Sequence, residues 1–254
     1  MTIVDESIAM AMDCESTELV KYLPYILQDF YEIGSLAKSI LKVVNEQNTK
    51  EYIDVIDLGC GKGAVLCAIA ENINSQCIGI DAVKEFIDYA NENVKKRGFK
   101  NCIFRTGDIR NKDLLSGQYD FIILGSIGPV YGNYRETMEF LKPYLKNDGM
   151  IILDDGYTEN EKKHSIVIKK EDLLREIGDS GMEIVKEYIG TEVCDENEFE
   201  KQLINIRKRC NELKIQYPEK ESIFSDYIKK QEKEYNCLKD DITCSTMVIT
   251  RKKA

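Results

Sequence analysis

The sequence predicts an α/β protein built on a doubly wound, seven-stranded, mostly parallel sheet, with an N-terminal helical cap and a helical hairpin inserted before the last strand. Three observations predict it. From residue 52 to residue 181 short apolar runs alternate with helical patterns, the order of a parallel sheet covered by helices on both faces. The last apolar run, 242–252, alternates in the manner of an antiparallel strand, expected at the sheet edge. Between that run and the strand before it lie two amphipathic helical patterns joined at a proline.

Composition bounds the reading further. A chain of 254 residues suits one domain with an attached lobe, and 43% apolar against 31% charged residues excludes a disordered or collagen-like chain. The formal net charge of −10 would repel a phosphate backbone, so nucleic acid is not an expected partner. No apolar run reaches bilayer length, and the opening residues are acidic where a secretory signal is basic and then apolar. A cytoplasmic protein with no membrane partner is the expectation. The nine cysteines are scattered singly with no CxxC pair, and read as reduced, mostly buried small apolar residues.

Residues 1–48 are expected to form the cap. Leu19, Leu23, Ile26, Leu27 and Phe30 recur at helical spacing, with Pro24 dividing the run into two short helices. Ser35 is then the expected N-cap of a helix carrying Leu36, Ile40 and Val43 on one face. Residues 49–190 form the core, with strands expected at 52–58, 77–81, 102–108, 119–125, 149–155 and 182–189. Helices are expected at 63–73, 82–97, 134–145 and 171–181.

The insertion, 191–240, carries one apolar seam at Phe199, Leu203, Ile206, Cys210 and Leu213. Pro218 marks a turn, and a second seam runs through Ile223, Tyr227, Gln231, Tyr235 and Leu238. Residues 241–254 return to the core as its last strand. Because the sixth strand runs parallel to its predecessors, the hairpin leaves the sheet at the carboxyl edge, where it would serve as a lid; a homodimer surface is the competing use of the same stripes.

The most informative segment is Asp57-Leu58-Gly59-Cys60-Gly61-Lys62-Gly63, a buried strand opening through three glycines into a helix. Glycines allow positive φ and close approach of a ligand, and the helix start offers unpaired N–H groups. Such a turn alone leaves open a dinucleotide site and a plain tight connection. The spacing departs from GxGxxG, and Lys62 is followed by Gly63 and not by the hydroxyl residue of a P-loop.

The pattern Asp-x-Gly-x-Gly-x-Gly resembles the first motif of the class I S-adenosylmethionine-dependent methyltransferases, and the next strand ends agree. The resemblance spans about residues 50–190 and the final strand, and implies a Rossmann-like methyltransferase fold with S-adenosylmethionine as cofactor. It implies that Asp57, Gly59, Gly61 and Gly63 form the cofactor turn. Asp81, followed by Ala82, would take the ribose hydroxyls, and Asp108 the adenine amino group, with Ile109 against the ring. Gly125 and Ser126, at the end of the fourth strand, complete the cofactor set.

A sulfonium already carries an activated methyl group, so positioning, on the order of 7–11 kcal/mol, is expected to outweigh a general base worth about 10²–10⁴-fold. Ligands of doubly wound sheets sit outside the carboxyl ends of the strands, here the segments Gly125–Tyr131 and Asp154–Tyr157. The first lacks the Asn/Asp-Pro-Pro-Tyr/Phe pattern of relatives that methylate adenine or glutamine amides. Its strand end carries no carboxylate, so no metal is expected. Asp154 and Asp155 are the catalytic candidates, as substrate-facing acids or a base, with a capped turn as the plain alternative. His164 is the one histidine and sits in a charged run. Tyr131, Tyr157 and Tyr22 are candidates to face a cationic or apolar substrate, although tyrosines at such spacing also serve as ordinary packing residues. The expected substrate is a small molecule; a non-catalytic S-adenosylmethionine-binding protein and a protein methyltransferase are the alternatives.

Overall fold

The computed structural model describes residues 3–159, 167–189 and 196–253, so His164 lies outside the described residues. The chain divides into two compact units, Met1–Tyr31 with Asp195–Ile242, and Glu32–Cys194 with Thr243–Ala254. The seam of the cap and core therefore falls at residue 31, and the third helix, expected in the cap, belongs with the sheet.

The sheet unit contains β1 (Ile53–Leu58), β2 (Ser75–Asp81), β3 (Cys102–Thr106), β4 (Tyr119–Gly125), β5 (Leu145–Tyr157), β6 (Met182–Ile189) and β7 (Thr243–Arg251), in the order β3-β2-β1-β4-β5-β7-β6. Strands β1 to β5 pair in parallel, and β7 is antiparallel to both β5 and β6. With α1 (Ile3–Ala11) and α2 (Leu23–Ile26) in the other unit, the helices here are α3 (Ala37–Gln47), α4 (Ala64–Asn72), α5 (Lys84–Arg97), α6 (Tyr134–Leu141) and α7 (Lys170–Asp179). Right-handed crossovers run outward in opposite directions from β1 and β4, which puts α4 and α5 on one face and α6 and α7 on the other. The order reverses between β1 and β4, where doubly wound sheets bind ligands.

Every residue of β4 except Gly125 is buried, as expected of a strand covered on both faces. Asp120 is among them, and is satisfied by Lys146 at 2.7 Å, Lys50 at 2.5 Å and the Asp54 amide at 2.7 Å. Two sequence expectations change here. The antiparallel strand β7 is interior, with Ser245 to Ile249 all buried, and the edge belongs to β6, whose Val185 and Ile189 are exposed. Ser35 does not cap α3: the N-cap is Leu36, and the Glu32 carboxylate accepts the Ala37 amide at 3.1 Å, leaving the Ser35 hydroxyl for another partner.

The helical unit joins α1, a 3-10 turn at Thr17–Tyr22 and α2 to α8 (Glu196–Gln216) and α9 (Glu221–Asp240). Pro24 sits in the first turn of α2, and Pro218 opens the 3-10 turn between α8 and α9. Ile206, Cys210 and Leu213 form the expected seam, whereas α9 buries Phe224 ahead of Ile223, with Tyr227 and Gln231 following. The side chain of Phe199 lies outside the described residues. Eight cysteines are free among the described residues, six of them buried, and no helix there is long and apolar enough to cross a membrane.

Candidate active site

The turn after β1 is built from backbone. Gly59, Gly61 and Gly63 have φ of +80°, +51° and +77°, and Gly63 is the left-handed N-cap of α4. At Gly63 a Cβ would lie 2.4 Å from the Phe104 ring, so only glycine lets α4 begin this close to β3. The Gly59 amide donates to the Ile80 carbonyl at 2.8 Å, and the Gly61 amide to Asp81 Oδ2 at 2.8 Å. The other Asp81 oxygen accepts the Val83 amide at 2.8 Å, one residue beyond Ala82. Asp81 thus ties the end of β2 to the turn.

Three carboxylates converge on adjacent strand ends. Asp57 is 3% exposed, and burial, followed by repulsion from Asp81, pushes it up to about 8. Burial also raises Asp81, against the pull of its amide donors. The Asp81 carbonyl accepts the Gly107 amide at 2.9 Å, which fixes Asp108 beside it. Asp108 is held by a fork from Arg110, Nε at 2.9 Å and Nη2 at 2.8 Å, and that guanidinium keeps its carboxyl low. Arg110 was invisible to motif reasoning because it lies one residue past the recognised pattern.

Ile109 is buried, and its carbonyl accepts the Tyr131 hydroxyl at 3.1 Å. The Tyr131 ring stacks on Phe140 at 4.3 Å between centroids, which holds the tyrosine beside Ile109. Lys62 is 5% exposed within the turn, with its ammonium 5.2 Å from the Tyr89 ring and 5.8 Å from that of Phe86, an aromatic setting not foreseen from the sequence.

The segment 154–157 belongs to β5 itself and not to a loop, so Asp154 and Asp155 project to opposite faces. Asp154 accepts bonds from the hydroxyls of Ser35 and Thr246; Asp155 accepts from Tyr134 at 2.6 Å and from the Gly156 amide at 2.7 Å. Burial raises both. Gly125 ends β4, and Ser126 follows as an exposed residue with φ of +54°. Tyr157 is 1% exposed, and its hydroxyl is shared between Glu187 and Lys170, each at 2.8 Å. Tyr22 is buried in the helical unit against Tyr217 and Phe224. Both rings serve packing, for which burial and not motif spacing is the signal.

The donor set suits S-adenosylmethionine. A buried carboxylate, Asp57, raised in part by the charge of the neighbouring Asp81, suits a ligand that brings ammonium and sulfonium charges together with a ribose diol. The left-handed turn presents backbone, not side chain, at the start of α4, where a helix N-terminus offers unpaired N–H groups.

Residues 49–254 match the family described as methyltransferase domain. An uncharacterized methyltransferase of Bacillus subtilis (strain 168) is 27% identical over 103 residues, which cover 41% of this chain and 40% of that one. A release factor glutamine methyltransferase of Buchnera aphidicola is 27% identical over 156 residues, 52% of this chain and 55% of that one. The chain thus spans about half the length of these curated relatives, or less. Among solved structures, a methyltransferase from Geobacter sulfurreducens in complex with S-adenosylhomocysteine shares the fold with a TM-score of 0.76 at 15% identity, over 91% of this chain and 98% of that one. The chain belongs to the methyltransferase domain family, the S-adenosylmethionine-dependent class that its motifs resemble.

Proposed function

We propose that this chain transfers the methyl group of S-adenosylmethionine to a small-molecule nucleophile, chiefly by positioning. The observation that carries the reading is the convergence of Asp57, Asp81 and Asp108 on adjacent parallel strand ends around one left-handed glycine turn. Bound there, S-adenosylmethionine supplies a methyl group already activated for displacement. Asp81 holds the ribose hydroxyls and Asp57 faces the cationic end. Asp108, kept ionised by Arg110, and Ile109, braced by Tyr131, hold the adenine.

A small acceptor is favoured by the crowding of the crevice. Ile127 lies so close over the turn that a Cβ at Gly59 would be 2.6 Å from its Cγ2, and Ile33 stands 3.6 Å from the corresponding point at Gly61. These apolar side chains exclude water from the reacting centre. The segment Gly125–Tyr131 lacks the amide-holding pattern, which separates this chain from glutamine methylation.

Calorimetry with S-adenosylhomocysteine, paired with a screen for its release from S-adenosylmethionine across small acceptors, tests the reading. Binding plus turnover of a small acceptor is expected. Binding with turnover only on protein substrates, or with none, assigns one of the alternatives; absence of binding overturns the proposal.

A further inference from the structure

Four segments distant in sequence meet beside the turn. Asp154 on β5 stands in register with Thr246 on β7, whose hydroxyl donates to Asp154 Oδ1, while Ser35, ahead of α3, donates to Oδ2. The Ser126 hydroxyl lies 3.4 Å from that of Ser35. Ser126 is exposed, Ser35 is 5% exposed and Asp154 is half-buried, so the buried Ser35 hydroxyl stands between an exposed hydroxyl and the carboxylate.

The arrangement is costly to build. Ser126 occupies the left-handed region at φ +54°, which is unfavourable for a non-glycine residue. Its amide is fixed by the Asp154 carbonyl at 2.8 Å. A Cβ on Gly125 would lie 2.6 Å from the Ser35 oxygen, so a residue with no side chain is needed for the hydroxyls to approach.

We propose that Ser126, Ser35 and Asp154 form a proton-accepting line beside the methyl-transfer crevice, and that the acceptor is a protic oxygen nucleophile such as a phenol or enol. This rests on the methyl transfer proposed above. As the acceptor oxygen bonds to the methyl carbon, the carbon–sulfur bond breaks and its electron pair stays on sulfur, cancelling the sulfonium charge. The acceptor proton passes to Ser126, the Ser126 proton to Ser35, and the Ser35 proton to Asp154 Oδ2. A weakly acidic phenol needs this help, whereas a neutral amine attacks through a free lone pair.

Burial raises the affinity of Asp154 for a proton, against its two hydroxyl donors. Its charged neighbour on β5 is Asp155, which is bonded to Tyr134 instead and stands outside the line. Ser35 and Ser126 are positioning and relaying groups, each able to donate one bond while accepting another.

The test compares wild type with Asp154→Asn, Ser35→Ala and Ser126→Gly on 4-methoxyphenol, 4-nitrophenol and 4-methoxyaniline, with S-adenosylhomocysteine affinity measured in parallel. Wild type is expected to methylate the phenols in preference to the aniline. The variants are expected to lose about a hundredfold in kcat on 4-methoxyphenol and much less on 4-nitrophenol, which ionises unaided, with affinity unchanged within about twofold for Asp154→Asn and Ser35→Ala. Without any acceptor, infrared titration should show a carboxyl band in wild type that protonates above the ordinary aspartate range and is missing from Asp154→Asn. Equal losses on both phenols, preference for the aniline, no phenol turnover, or an unshifted band overturns the proton line while leaving the methyltransferase reading intact. Loss of S-adenosylhomocysteine binding by wild type would instead remove that reading. Should Asp154→Asn not fold, the exposed Ser126→Gly, which also relaxes its backbone, carries the kinetic comparison alone.

Discussion

Asp81 opposes the ionisation of Asp57 on the neighbouring parallel strand: burial, and then the Asp81 charge, push the Asp57 carboxyl up to about 8. Its unfolded value is about 4, so the folded protein binds the extra proton between these limits. Stability from this group is present at low pH and is lost as pH rises from about 4 to about 8, at up to ~1.4 kcal/mol per pH unit. Asp57→Asn should flatten that slope and melt higher than wild type at pH 8 to 9. Urea unfolding across the range checks it, and parallel curves for the two proteins would refute it.

Asp81→Ala removes the acceptor for the Gly61 and Val83 amides and, under the proposed function, for the ribose. Charge-assisted bonds are worth about 1.5–3 kcal/mol, so S-adenosylhomocysteine should bind about 10- to 150-fold more weakly. Calorimetry at constant pH measures this, with circular dichroism verifying the fold. Unchanged affinity would take Asp81 out of the site.

Gly63→Ala forces a side chain onto a left-handed residue and against the Phe104 ring. Strain of roughly 1–2 kcal/mol adds to overpacking of about 1–3 kcal/mol, so the melting temperature should fall by several degrees. Scanning calorimetry reads the shift directly.

Asp120→Asn leaves Lys50 and Lys146 without the buried charge between them. Both ammonium groups are about one third exposed, so the penalty is discounted below that of a fully buried pair, to about 1–3 kcal/mol at pH 7. The Asp120 carboxyl is held low by Lys146 and Lys50, against its burial, so this stabilisation is present above about pH 4 and disappears as acid protonates it. Wild type and variant should therefore converge in urea midpoint at the lowest pH.

What the sequence discloses is periodicity and motif spacing. The alternation of apolar runs located all seven strands and the five helices that flank them, and the run 57–63 located the turn. Neighbour relations were harder. Strand order is not a local property: β7 reads as an edge strand because Thr243, Ser245 and Thr250 interrupt its apolar residues, yet Ser245 spends its hydroxyl on Glu187 and the strand lies inside the sheet. Ser35 has the chemistry of an N-cap, but Glu32 performs that task from five residues before Ala37, and the serine serves a carboxylate 119 positions away. Arg110 and Thr246 escaped notice because nothing near them in the chain marks their partners.

The helical unit draws on both the opening residues and the excursion between β6 and β7, and Ile189 stands opposite Ser245 where that excursion departs and rejoins. The strands it leaves and rejoins are thus neighbours, so replacing the excursion need not re-pair the sheet. The replacement could not be made alone, however: Leu19, Leu23 and Ile26 are interior to a bundle completed by Phe224 and Tyr227. Divergence of this region is a two-part exchange, in which the first thirty-one residues and the excursion must change as matched cartridges.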